Sequence, residues 1–566
     1  MHTAPLSPLA RSAAIAAMES TELDVVVVGG GVVGAGCALD ATTRGLSTGL
    51  LEMRDWASGT SSRSSKLIHG GLRYLEMMDF QLVREALRER SLLLHRLAPH
   101  LVRPVPFIYP LTRRVWERFY VGSGVTLYDG MAGRGMPRHR QLSRREALRL
   151  CPALRRDSLV GAVQYWDAQV DDARHTMFVA RTAAAYGAHV ASRAQVVGFL
   201  REAGRVTGVR VLDLEDDRTF EVRARQVVNA TGVWTDDTQA LIGERGQFQV
   251  RASKGVHLVV PRDRIQSTSA LILRTPTSVL FVIPWGRHWI VGTTDTDWTL
   301  DKSHPAATRS DIDYLLGEVN KVLVSPLRPE DVEGVYAGLR PLLAGESELT
   351  SKLSREHVVA SPVPGVVAVA GGKYTTYRVM AADAVDAAAH ALGGAIPPSC
   401  TDKVPLLGAE GYAALWNQRA ALSASSGLHV ARVERLLRRY GTLVDEVLDL
   451  IRTDPSLADP LDGAEDYLRA EVAYAVLAEG ARHVEDVLTR RTRASIETFD
   501  RGLTALVPVA RLMADLLDWP GEQLDRELAS YRHRVEAERA SQEQPDDRTA
   551  DLTRREAPDV VPVAHA

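Results

Sequence analysis

Cysteine is nearly absent from this chain: there are 3 in 566 residues, at Cys37, Cys151 and Cys400. They are widely separated and form no C-x-x-C pair, so neither a disulfide framework nor a zinc site is supported. A reducing, cytoplasmic setting fits best, and no metal is expected. Positive charge is not in excess either. The 68 Lys and Arg residues against 71 Asp and Glu give a formal net charge of −3, without the basic imbalance that nucleic-acid binding usually leaves. No segment approaches the roughly 18 consecutive apolar residues needed to span a bilayer. The opening MHTAPLSPLARSAAIAAMES has an Ala-rich run but no strong basic start and no long Leu-rich centre. Residues 1–21 therefore read as a loosely ordered extension. Residues 540–566 are rich in Asp, Glu, Gln, Arg and Pro, with little to bury, and are expected to be disordered.

What is present is ordinary globular material, 45% hydrophobic and 25% charged, long enough for about two to four domains. The first ordered unit reads strand, helix, strand: DVVVVGG, GVVGAGCALDATTRG, LSTGLLEMR. The run Val25 to Val28 is wholly apolar, as in a buried parallel strand. The helix ends in Arg44 followed by Gly45, a basic last turn with a glycine cap. Between strand and helix, Gly29, Gly31 and Gly34 satisfy G-x-G-x-x-G. The spacing provides a tight turn, close approach of backbone to a pyrophosphate, and close helix–sheet packing. The helix start then offers N–H groups to phosphate, and Glu52 ends the second strand where a carboxylate accepts hydrogen bonds from a ribose. This constellation indicates a dinucleotide and leaves FAD and NAD open. Two later strands end in small residues, QVVNATG at Ala230, Thr231 and Gly232, and VVAVAGG at Gly371 and Gly372. Such ends let the chain pass close to a ligand or simply make a tight turn.

Helical periodicity predicts helices over 79–97 and 171–187, and strand-like runs dominate 196–228 and 257–292. Gly286-Arg287 is a plausible hairpin turn between VLFVIPW and HWIVGTTD. After Pro397-Pro398 the pattern becomes helical, from about 411 to 538. There Arg432, Arg435, Arg438 and Arg439 interleave with Val433, Leu436 and Leu437 and read first as a solvated helix face, second as a membrane or subunit contact. Residues 111–128 mix Arg113, Arg114 and Arg118 with Val115, Trp116, Phe119 and Tyr120. That pattern suits a bilayer surface or an ordinary subdomain helix.

The motifs SSRSSKLIHGGLRYL (61–75), VDDAR (170–174), NATGVW (229–234), KGVH (254–257), VIPW…GTTD (282–295), GLRPL (338–342), GGKYTTYR (371–378) and EDVLTRRTR (485–493) resemble the FAD-dependent, quinone-linked glycerol-3-phosphate dehydrogenases. The resemblance runs from about residue 22 to about 530. It implies an α/β fold: a Rossmann-like FAD-binding domain with an inserted antiparallel-sheet substrate domain, like D-amino-acid oxidase, plus a C-terminal α-helical domain. The corresponding division is 22–98, 167–250 and 355–395 for the FAD domain, 99–166 and 251–354 for the substrate domain, and 400–538 for the helical domain.

It further implies oxidation of sn-glycerol 3-phosphate to dihydroxyacetone phosphate by hydride transfer to flavin N5, with electrons passed to a membrane quinone from the bilayer surface. A phosphate dianion carrying a secondary alcohol needs cations, a proton acceptor and a positive environment for reduced flavin. By resemblance, Arg73, His257, Arg340 and Lys373 serve catalysis and line the substrate pocket. Tyr74 and Thr375 stand beside them, and Arg355 joins the cations. His69 and His257 are candidate proton acceptors, with His257 the working choice because neutral imidazole takes a proton near pH 7. Ser61, Ser62, Ser65, Lys66, His69 and Gly70 lie on the loop that passes the flavin in this family, with Ser64 in the same polar run. Lys373, Thr375 and Thr376 follow the second glycine pair. Two alternatives stand: an oxidase using oxygen, and a non-catalytic protein using the same fold to bind a partner or lipid. Whether the subunit pairs as a homodimer is open.

Overall fold

A computed structural model describes residues 3–71, 79–112, 116–132, 136–243, 248–275, 279–344 and 356–564. Leu23–Val28 is a central strand with Val25, Val26 and Val27 fully buried. It pairs in parallel with Arg218–Asn229 and with Thr48–Leu51, Val28 lying opposite Asn229 and Leu51. Val366–Gly371 and His189–Ala191 add further parallel strands, and His357–Ala360 runs antiparallel at one edge. An antiparallel flap, Ala194–Glu202 with Arg205–Asp213, completes this eight-stranded sheet. The shared register brings Gly29, Ala230 and Gly371 out at one edge. The carboxyl ends of strands in an open α/β sheet are where ligands bind.

A second sheet of ten strands is largely antiparallel. Its longest pairing joins Val250–Pro261 to Gly334–Leu343 and sets His257 opposite Tyr336 and Arg340 opposite Ser253. Gly286-Arg287 forms the expected hairpin turn, with Trp285 opposite His288. From Tyr412–Asn417 to Gly521–Gln542 the chain is mainly helical, around a core that includes Val472, Val476, Leu488, Val509, Met513 and Tyr531.

Buried ion pairs weld this helical domain to the first sheet. Arg491 and Arg490 hold Asp55, and Arg493 reaches both Asp171 (2.5 Å) and Asp172 (2.6 Å). Such pairs contribute little over an apolar contact but are costly to break, because the surviving charge stays buried. EDVLTRRTR is thus an interdomain clamp.

Three expectations need correction. Residues 1–21 are not a loose extension: Pro8–Ser20 is a helix capped by Ser7, with Ile15 and Met18 buried and Arg11 paired with Asp213. The 540–566 stretch is not disordered over its described part. Gly521–Gln542 runs into it, a second helix spans Asp547–Arg555, and Ala550, Arg554 and Ala557 are buried. Arg439 does not lie on a solvated face; its guanidinium donates to Glu471 at 2.6 Å and to the Arg491 carbonyl. In the 111–128 segment, Arg113, Arg114 and Val115 fall outside the described residues. The helix Trp116–Ala132 buries Val125 and Tyr128 in the sheet core, as a subdomain helix does. Among the described residues no helix is long and apolar enough to cross a membrane.

Candidate active site

The turn after Leu23–Val28 is built so that only glycine fits. Gly29 has φ +107°, and a Cβ on Gly34 would lie 1.8 Å from the Gly29 carbonyl oxygen. Helix Val32–Thr43 therefore starts against the sheet edge. The Val32 amide donates to Ser61 Oγ at 2.9 Å, and the Gly30 amide to Glu52 Oε2 at 2.6 Å. Burial raises the Glu52 carboxyl above its ordinary range, while the amides of Arg54 and Gly30 hold it down.

From this turn a cavity of about 650 Å³ runs between the two sheets, a size suited to a large organic ligand. Gly29, Gly31, Glu52, Ser61 and Ser65 line it, as do Ala230, Thr231, Gly232 and the pair Gly371 and Gly372. At the far end it is lined by His69, His257, Arg340, Lys373 and Thr375. Residues more than 300 positions apart in sequence thus meet around one space.

At that end His257 is buried, stacks on Tyr336 with ring centres 4.7 Å apart, and has Nε2 2.8 Å from Ser65 Oγ. Its Nδ1 has no hydrogen-bond partner among the described residues. Burial, then the charges of Arg340 and Lys66, hold its pKa well below the usual imidazole value, so the ring is neutral near pH 7. Arg340 is fixed in place: Nη2 donates to Thr293 Oγ1 (3.0 Å) and the Thr294 carbonyl (3.1 Å), and Nη1 faces Asp295. Asp295 also accepts from Ser253 Oγ. Thr375 Oγ1 accepts from the His69 amide at 3.1 Å and ties the HGG loop to the GGKYTT segment.

Several expected residues do not line the cavity. Lys66 has φ +58° and turns inward, where Nζ pairs with Asp172 at 2.8 Å and donates to the Ser62 carbonyl. Ser62, Gly34, Gly70 and Thr376 are supporting residues: the Gly70 amide donates to Tyr128 at 2.8 Å, and Thr376 donates to the Lys373 carbonyl. Arg73, Tyr74 and Arg355 lie outside the described residues. Sequence reasoning missed Gln195, Val196, Arg54, Val563 and Ala564 at the Glu52 end of the cavity. It also missed the tethers on Arg340. The GTTD motif was the available signal for those tethers.

The glycine turn, the helix start, the carboxylate at Glu52 and a long groove crossing to a second sheet define a dinucleotide-dependent oxidoreductase. A model of the FAD-dependent oxidoreductase family matches residues 24–378, and one for the C-terminal domain of alpha-glycerophosphate oxidase matches residues 399–524. Glycerol-3-phosphate dehydrogenase 2 of Mycobacterium tuberculosis is 60% identical over 557 residues, covering 98% of this chain and 95% of its own. The mitochondrial glycerol-3-phosphate dehydrogenase of Mesocricetus auratus is 37% identical, covering 93% and 75%. The crystal structure of glycerol-3-phosphate dehydrogenase from Bacillus halodurans complexed with FAD superposes with a TM-score of 0.79 at 30% identity, covering 94% of this chain and 98% of that one. The chain belongs to the FAD-dependent glycerol-3-phosphate dehydrogenase family. The residues present fit FAD: the turn leaves no room for a Cβ at Gly29 or Gly34, and the cavity is continuous from Glu52 to Lys373.

Proposed function

We propose that this protein oxidises sn-glycerol 3-phosphate to dihydroxyacetone phosphate and passes the electrons to a membrane quinone. The observation that carries this reading is that His257, Arg340 and Lys373 line the same cavity as the glycine turn and Glu52. When bound, FAD supplies the hydride acceptor. Arg340, held by Thr293, Thr294 and Asp295, sets a fixed positive charge at the cavity wall for a phosphate dianion, and Lys373 adds a second charge. Arg73 and Arg355, with Tyr74, complete the substrate-binding set by sequence. His257 accepts the hydroxyl proton at Nε2, beside Ser65 Oγ. Burial and the cations keep the His257 ring neutral but also lower its proton affinity. An arriving dianion offsets the positive charge and raises its proton affinity as the reaction begins.

The quinone rests on the family resemblance, and the acceptor is open to direct test. Substrate-bleached enzyme is reoxidised anaerobically with a menaquinone or ubiquinone analogue, and in parallel with oxygen while peroxide is measured. Rapid quinone reduction with little peroxide supports the dehydrogenase. Stoichiometric peroxide with inert quinones makes the protein an oxidase. The cytoplasmic setting and peripheral attachment to the bilayer belong to the same proposal. They predict enzyme on washed membranes at low salt that is released at high salt.

A further inference from the structure

Residues 556–564 lie beyond both stretches matched by the family models, yet they reach the cavity. Their approach is set by the helix Asp547–Arg555: Asp547 pairs with the buried Lys254 of the second sheet, and Arg554 Nη1 donates to the Ala557 carbonyl at 3.0 Å. The chain then continues without helix or strand to the cavity wall at Val563 and Ala564. Asp559 sits between Arg54 Nε at 2.7 Å and His304 Nε2 at 3.0 Å, with its side chain 11% exposed. Further on, Ala564 makes a reciprocal pair with the Gln195 amide: Gln195 Nε2 donates to the Ala564 carbonyl at 2.7 Å, and the Ala564 amide donates to Gln195 Oε1 at 2.8 Å. Val563 and Ala564 form cavity wall beside Gln195 and Val196.

The contacts fall at the end of the cavity marked by Glu52 and the glycine turn. Arg54, which holds Asp559, also donates its amide to Glu52 Oε1 at 2.8 Å. The cavity keeps its volume of about 650 Å³ with this segment in place, so the segment covers the space and does not fill it. We propose that residues 556–564 are a strap that closes the adenosine end of the FAD site and retains the cofactor, with Asp559 as its latch. FAD then enters and leaves only when the strap is undocked. Its release rate depends on the latch as well as on contacts to the glycine turn.

The test uses three FAD-loaded proteins: the full chain, a chain ending at Ala557, and the full chain carrying Asp559→Asn. FAD release is followed by the rise in free-flavin fluorescence on dilution. The melting of each apoprotein, read by circular dichroism, separates a lost strap from a lost fold. Both altered proteins should release FAD about tenfold faster or more, as expected when a charge-assisted anchor is lost, with apoprotein melting unchanged. Should truncation disturb melting, Asp559→Asn alone decides. Release within about twofold of the full chain, or tighter FAD binding after truncation, overturns the strap. The readout contains no substrate, so it stands whatever alcohol the enzyme oxidises.

Discussion

Ser65 Oγ lies 2.8 Å from Nε2 of His257. The turn that places it is held from the other side, where Asp172 accepts from the Ser64 amide (2.9 Å), Ser64 Oγ (2.7 Å) and Lys66 Nζ (2.8 Å). Arg493 of the helical domain binds the same carboxylate at 2.6 Å. A chain of contacts thus leads from EDVLTRRTR to the proposed proton acceptor.

Replacing His257 by Asn removes the acceptor and keeps a polar group of similar reach. Anaerobic flavin reduction by glycerol 3-phosphate should slow about 10²–10⁴-fold, the usual worth of a positioned base. Near-normal reduction in stopped-flow removes His257 from the role. Ser65→Ala should slow reduction less and shift its pH profile.

Arg340→Ala should raise the KM for glycerol 3-phosphate far more than for unphosphorylated glycerol, since the proposed contact is to phosphate. A charge–charge contact of this kind is worth about 2–5 kcal/mol in kcat/KM. Equal losses on both substrates would show that Arg340 acts elsewhere.

Gly34→Ala puts a methyl group against the Gly29 carbonyl. The purified variant should be colourless or retain a small fraction of its FAD. A fully yellow protein contradicts the packing described for the turn.

Arg493→Ala leaves Asp172 with Lys66 as its one ion-pair partner among the described residues and takes from Asp171 the cation it pairs with. Breaking such a cluster costs about 3–5 kcal/mol, so the thermal midpoint should fall clearly, with Arg493→Lys intermediate. An unchanged midpoint would show that the clamp does not hold the domains together.

His483 gives a pH dependence. Burial and the nearby Arg193 push its pKa down, but Glu215 at 3.0 Å and Glu527 at 2.7 Å outweigh them and raise it to about 9. The folded value exceeds the unfolded one. The contribution to stability is therefore complete below an unfolded imidazole pKa of about 6.5 and is lost as pH rises through about 9. Melting between pH 6 and 10 should show this loss in the native chain and a weaker one in His483→Gln.

The parts legible in the sequence are those set by local rules. Gly29, Gly31 and Gly34 announce themselves by their spacing, and a turn against the sheet edge has no room for a side chain at Gly29 or Gly34. The hairpin at Gly286-Arg287 follows from two apolar runs and a turn residue. What the sequence concealed depends on distant partners. Met18 is buried because it packs near Gly49, and Asp559 is ordered by Arg54 and His304. Arg439 looked like a surface charge until Glu471 was placed beside it. Lys66 sits inside a motif expected by resemblance to contact flavin, but its left-handed backbone sends the side chain to Asp172. The proposed substrate cations are legible only through resemblance, since nothing in the spacing of Arg340 and Lys373 says that both line one cavity.

On the proposed function, the FAD cavity holds a site for a phosphorylated secondary alcohol. Its most direct test is the visible spectrum of the purified protein under strict anaerobiosis, before and after sn-glycerol 3-phosphate is added. The yellow absorbance should bleach with sn-glycerol 3-phosphate and much more slowly with glycerol, and dihydroxyacetone phosphate should form in one-to-one yield with the flavin. A flavin that stays oxidised with sn-glycerol 3-phosphate, or bleaches equally well with an amino acid, would contradict it.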